Sequence, residues 1–207
     1  MKGKIILILS IILAFCTNIS RADSPLTSTD FWVAYQGESI IQYAGTLNGK
    51  LDKKTMNYLY NSDNPIAVKL ALINKLSWDF DGKSNATEFI KFLRQKGAFS
   101  NMHNFTYNNS RSDLMICLAY LQAMDNYFDV KAARTLALEA KKFDLYSYAV
   151  HIVAALIDAQ YQFDRSWCDV YRVVAAVEQD PLLERDMRQE AVDNIFNYIG
   201  LYKGSCE

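Results

Sequence analysis

Apolar residues along this chain recur at alternating steps of four and three. Leu145, Ala149, Ile152, Leu156, Ala159 and Phe163 follow that spacing without a break. Steps of this size place all six on one face of an α-helix. Ile66, Leu70, Ile73 and Phe80 begin an earlier copy of the stripe, and Leu114, Cys117, Leu118, Leu121 and Phe128 a middle one. Breakers are scarce: 8 Gly and 3 Pro in 207 residues. That scarcity excludes disordered and collagen-like chains and disfavours a sheet sandwich, which needs frequent turns. Pro65 and Pro181 mark helix starts, because proline in the first turn sacrifices no hydrogen bond. Ser28, Thr29 and Asp30 are the candidate caps for the first helix after the leader. The pattern predicts an all-α fold of about nine helices near 29–45, 51–62, 65–80, 85–97, 111–128, 130–142, 145–163, 166–178 and 182–202.

Three of these helices share a longer motif. Each starts with Ala (Ala71, Ala119, Ala154), has Ile or Leu two residues on, and ends in Phe-Asp nine and ten residues on. Those pairs are Phe80-Asp81, Phe128-Asp129 and Phe163-Asp164. Small Ala permits close helix approach. The Phe is expected in the core, plugging the end of a hairpin, and the Asp is expected to cap the next helix. A repeated helix–turn–helix unit of this kind, over roughly residues 65–179, resembles the tetratricopeptide and HEAT-type repeats at class level. The resemblance implies stacked antiparallel hairpins forming an α-solenoid-like body. The alternative is an irregular α-helical bundle.

The first 22 residues read as a secretory signal peptide. Lys2 and Lys4 precede the apolar run Ile5 to Phe15, and Ser20-Arg21-Ala22 supplies small residues at the cleavage positions. The run is too short to span a bilayer, which takes about 20 residues. Leu13-Ala14-Phe15-Cys16 gives a second reading, a lipid anchor at Cys16. Removing the leader takes away Lys2, Lys4 and Arg21 and no acid. It turns 22 basic and 23 acidic residues of 207 into 19 and 23 of 185, a net charge of −4. That balance argues against nucleic acid as a partner. The domain is therefore 23–207, periplasmic or secreted. Export permits disulfides. Cys117 sits in an apolar helical run and reads as a buried thiol, which leaves Cys168–Cys206 as the expected bridge.

Chemical motifs are few. Ser77 to Glu88 follows an EF-hand-like calcium loop, with Asp79, Asp81, Asn85 and Glu88 at ligand positions and Gly82 at the sharp turn. The same residues also read as an Asp-Gly turn followed by an Asn85/Glu88 capping box. His151 reads as a packing residue. The stretch around His103 is the longest loop, and Phe105 and Tyr107 are its candidate binding side chains. Tyr35, Tyr58, Tyr60 and Tyr202 are further aromatics less easily placed in a core. No nucleophile elbow, HExxH motif, phosphate loop or Cys-x-x-Cys pair occurs. The leading expectation is a non-catalytic binding or scaffolding protein for a protein, peptide or envelope component. The alternative is a carboxylate-dependent enzyme acting on envelope glycans or peptides.

Overall fold

Residues 23–107 and 111–207 are described by the computed structural model. The expected leader and Cys16 lie outside them. The described chain holds ten α-helices: α1 Ser39–Ala44, α2 Lys53–Tyr60, α3 Ile66–Leu76, α4 Asn85–Gln95, α5 Met102–Tyr107, α6 Ser112–Asp125, α7 Lys131–Phe143, α8 Tyr148–Gln162, α9 Trp167–Glu178 and α10 Gln189–Ile199. A 3-10 segment at Phe31–Tyr35 precedes them and another at Gly200–Cys206 ends the chain. The all-α expectation holds. No helix among the described residues is long and apolar enough to cross a membrane.

The three helices that carry the shared motif form the centre. Helices α3, α6 and α8 are apolar around most of their circumference and are buried on nearly every side. Ala71, Ala119 and Ala154 sit in this interior. The outer helices are amphipathic and bury one stripe each: Phe89, Phe92 and Leu93 on α4, and Leu136, Ala137 and Ala140 on α7. Helices α6–α7 and α8–α9 pack as hairpins, as the sequence implies for a helical-repeat class. Helix α3 also touches α8 directly, so the central helices form a triangular cluster. In an open solenoid each repeat meets only its neighbours. Here Arg188 joins the two ends of the described chain. Its backbone N–H donates to the Tyr35 hydroxyl at 2.9 Å and its guanidinium to the Ala34 carbonyl at 2.7 Å.

Three stretches depart from the expected pattern, two of them because a distant group takes the backbone. Buried Asn74 on α3 accepts from the Trp32 N–H at 2.9 Å and donates to the Thr29 carbonyl at 3.2 Å. Those contacts break 29–45 into a 3-10 turn and α1. Thr29 donates its hydroxyl to the Pro25 carbonyl instead of capping, and Asp30 makes no side-chain cap. Residues 182–188 are not helical. Glu184 exchanges backbone bonds with Tyr146 and Tyr148, and Asp186 accepts from the Ser147 hydroxyl and the Ala149 N–H at the start of α8. The long polar loop contains α5, started by Asn101, which accepts from the Asn104 N–H at 2.9 Å.

Among the described residues one ion pair has a fully buried member. Lys69 on α3 is 1% exposed and its ammonium meets Asp113 on α6 at 2.8 Å. Arg111 bonds the same carboxylate at 2.7 Å and donates to the Tyr60 carbonyl at 2.8 Å.

Candidate functional site: an aromatic groove at the ends of the central helices

Phe80 and Phe128, expected in the core, are 71% and 67% exposed. The reason is where the helices stop. Helix α3 ends at Leu76 and α6 at Asp125, so each Phe falls in the following turn, past the end of its stripe. Ser77 stops α3 with a φ of +60°, which L-residues rarely adopt. Helix α8 runs to Gln162, and Phe163 keeps its phase and stays half-buried. Triangular packing then brings the three Phe-Asp corners to one end of the bundle.

The corners build a groove. Phe80 and Phe128 meet edge to face at 5.7 Å, and Phe128 leans on Tyr127 at 4.2 Å. Tyr127 is itself buried against Trp78 at 5.0 Å. A cavity of about 470 Å³ lies between Phe80, Phe128 and Phe163, with Gln160 and Tyr161 also in its lining. It shares Phe80 and Phe128 with a cavity of about 320 Å³ beside Asp79 and Asp81. It shares Phe163 and Arg165 with another of about 580 Å³ beside Trp167 and Cys168. Trp167 is 60% exposed. The three cavities thus adjoin through shared side chains across the ends of α3, α6 and α8.

Its rim is acidic. Asp23, Asp79, Asp81, Asp129 and Asp164 are all exposed along it, against Lys131 and Arg165. Arg165 lies over the Tyr161 ring at 3.9 Å and donates to the Tyr161 carbonyl. The helices present their C-terminal, partially negative ends here. The capping role expected of the motif Asp is only partly met. Asp129 accepts from the Lys131 N–H at 3.3 Å, whereas α9 is capped by Ser166. Helix α4 is served from another repeat: Asp125 accepts from the Ala86 N–H at 2.7 Å. Its second oxygen is buried without a hydrogen-bond partner among the described residues. Burial raises the Asp125 carboxyl, and its bonds to the Ala86 and Asn85 amides offset this only in part. Asp125→Ala is expected to cost about 1–2 kcal/mol, the range of a lost helix cap. A urea-midpoint shift of under a third of that rules the cap unimportant.

The four expected calcium ligands are not gathered into a cage. Asn85 is buried, donates to the Gly49 carbonyl at 2.9 Å and accepts from the Leu51 N–H at 2.9 Å. It therefore makes no capping box. Glu88 pairs with Lys91 at 2.8 Å, and Asp79 accepts from the Asp81 N–H at 3.2 Å. The Lys83 ammonium donates to the Leu76 and Ser77 carbonyls at 2.6 and 2.8 Å, closing the end of α3. Gly49, at φ +75°, leaves room for it. A Cβ there would lie 2.5 Å from the ammonium nitrogen. No group of three or more His, Cys, Asp or Glu among the described residues is arranged to hold a metal.

Comparison with known protein families, curated proteins and solved structures gives no match. Function is therefore read from the groove.

The loop aromatics are elsewhere. Phe105, expected as a binding side chain, is fully buried against Phe99 at 4.7 Å, because α5 turns it inward. Tyr107 ends the same helix. Tyr35 is also buried, its hydroxyl held by Arg188. His151 is half-buried and bonds the Asp144 carbonyl at 2.9 Å through Nε2. Cys117 is buried, and burial pushes its thiol up to about 12, which leaves it inert as a nucleophile. Cys168 and Cys206 are bridged, as expected, and tie the terminal 3-10 segment to α9 beside the groove.

Proposed function

We propose that this chain is an exported, non-catalytic binding protein that holds a protein or peptide segment of the envelope in the aromatic groove. The helical-repeat body acts as the scaffold, as in proteins of the tetratricopeptide and HEAT kind. The observation that carries the reading is the exposed Phe80–Phe128 pair. Two adjoining aromatics in water are unfavourable unless something covers them, and rigid aromatic anchors dominate recognition surfaces. The disulfide supports an oxidising compartment.

The test compares native protein with a Phe80→Ala/Phe128→Ala variant as bait in envelope extract. Both side chains are exposed, so the variant should unfold within about 0.5 kcal/mol of the native protein. Components enriched on the native bait should be lost from the variant. Equal enrichment on both baits overturns the assignment of the groove.

A further inference from the structure

We infer that the groove takes a peptide carrying an arginine or lysine beside an apolar side chain. This rests on the groove being the binding site and adds the chemistry of its occupant. The two ends of the groove differ. At one end Phe80 and Phe128 stand edge to face, with Asp79, Asp81 and Asp129 adjoining the same rings in sequence. Aromatic faces attract cations through their quadrupole, and neighbouring carboxylates reinforce that attraction. The end of α6 adds the partial negative charge of its terminal carbonyls. Lys83 is engaged by the carbonyls closing α3, and Lys131 lines the central cavity but not the one beside Asp79 and Asp81. At the other end Phe163 and Trp167 line the cavity, with Tyr202 packed against both. Phe163 and Trp167 lie 6.0 and 6.5 Å from the Tyr202 ring, and Arg165 lines the same cavity. A cationic group is therefore favoured at the Phe80–Phe128 end and an apolar or acidic-flanked group at the Trp167 end. Between them Tyr127 lines both adjoining cavities, and its hydroxyl is buried with no partner among the described residues.

Calorimetric titration of the mature protein distinguishes the sources of such a ligand. The probes are a capped hexapeptide alternating arginine with leucine and phenylalanine, a version with glutamate for arginine, a version with glycine for the apolar residues, and phosphocholine. The basic apolar peptide is expected to bind in the micromolar range, and the glutamate version at least about tenfold more weakly. The glycine version should lose a similar factor, because it cannot fill the Trp167 end. Phe128→Leu keeps the apolar area but loses the ring face, and should weaken the basic peptide about fivefold. Asp81→Asn should weaken it about twofold to fivefold at low salt, and less at high salt. Equal binding of the arginine and glutamate peptides overturns the charge assignment and leaves the groove standing. Tighter binding of phosphocholine than of the peptide overturns the peptide assignment in favour of a lipid headgroup. If no probe binds at millimolar concentration, and Phe80→Ala/Phe128→Ala captures the same envelope components as the native bait, both readings fall.

Discussion

Asp113→Ala is expected to lower the stability of the fold by about 3–5 kcal/mol, the range for removing one partner of a buried ion pair. That is a large share of the roughly 5–15 kcal/mol typical of a domain. The cause is Lys69, 1% exposed, whose ammonium would remain inside α3 with its carboxylate gone. Arg111 would also lose the group that orients it toward the Tyr60 carbonyl. Lys69→Met/Asp113→Leu should recover most of the loss, because well-packed apolar residues replace a buried pair at little cost. Urea midpoints at constant m-value measure both variants. A shift of under about 1 kcal/mol for Asp113→Ala would show that water reaches Lys69 and that the pair is not structural.

The same carboxylate sets the acid limb of stability. Burial alone would raise the Asp113 carboxyl, but the bonds and charges of Arg111 and Lys69 outweigh it and hold the group below its ordinary range. A group lowered by folding contributes fully at neutral pH and loses that contribution as pH falls through its folded value. His151 behaves alike at higher pH: burial lowers its ring, so stability falls first as pH drops through the ordinary histidine range. Asp125 has the opposite sign. Its raised carboxyl makes the ionised form unfavourable in the fold, and protonation in the carboxylate range relieves it. The acid limb should therefore flatten in Asp113→Ala. Unfolding midpoints between neutral pH and the carboxylate range read that change, and an unchanged slope would assign the limb to other groups.

Cys206→Ser is expected to cost roughly 3–4 kcal/mol in the chain-entropy model, given a separation of 38 residues between the bridged cysteines. Cys168→Ser and the double variant should match it, since either change opens the same loop. The effect should also reach the groove. The bridge fastens the segment that carries Tyr202 to α9, and Tyr202 backs Phe163 and Trp167 at the apolar end. Loss of the bridge should therefore weaken a ligand held there more than one held only by Phe80 and Phe128. Identical urea midpoints for oxidised and reduced protein would contradict the first part. Unchanged binding of the apolar half of the peptide would contradict the second.

The fold class was legible in the chain because helical periodicity is a local property. Steps of three and four fix a face whatever that face meets, and the scarcity of Gly and Pro leaves few other options. The bridge was legible only in part: the apolar neighbours of Cys117 mark it as buried, and with Cys16 assigned to the leader Cys168 and Cys206 are the expected pair. The Phe-Asp repeat was also visible, yet its meaning was not. Phe80 and Phe128 lie in phase with their stripes only if the helices continue, and both helices stop short. The ends are held by the Lys83 ammonium, which folds back seven residues across the end of α3, and by Asp125, which reaches 39 residues back to α4. Asn74 and Asp186 likewise take backbone groups that a purely local reading gives to helices.

The sequence by itself determined that this protein is a body of helices, three of them related, and it pointed to Cys168 and Cys206 as the pair to expect. Only the tertiary structure decided that the three Phe-Asp corners meet. A repeat can specify identical helix ends, but their convergence requires α3 to pack on α8 as well as on α6, which is a property of the closed triangle and not of any one unit.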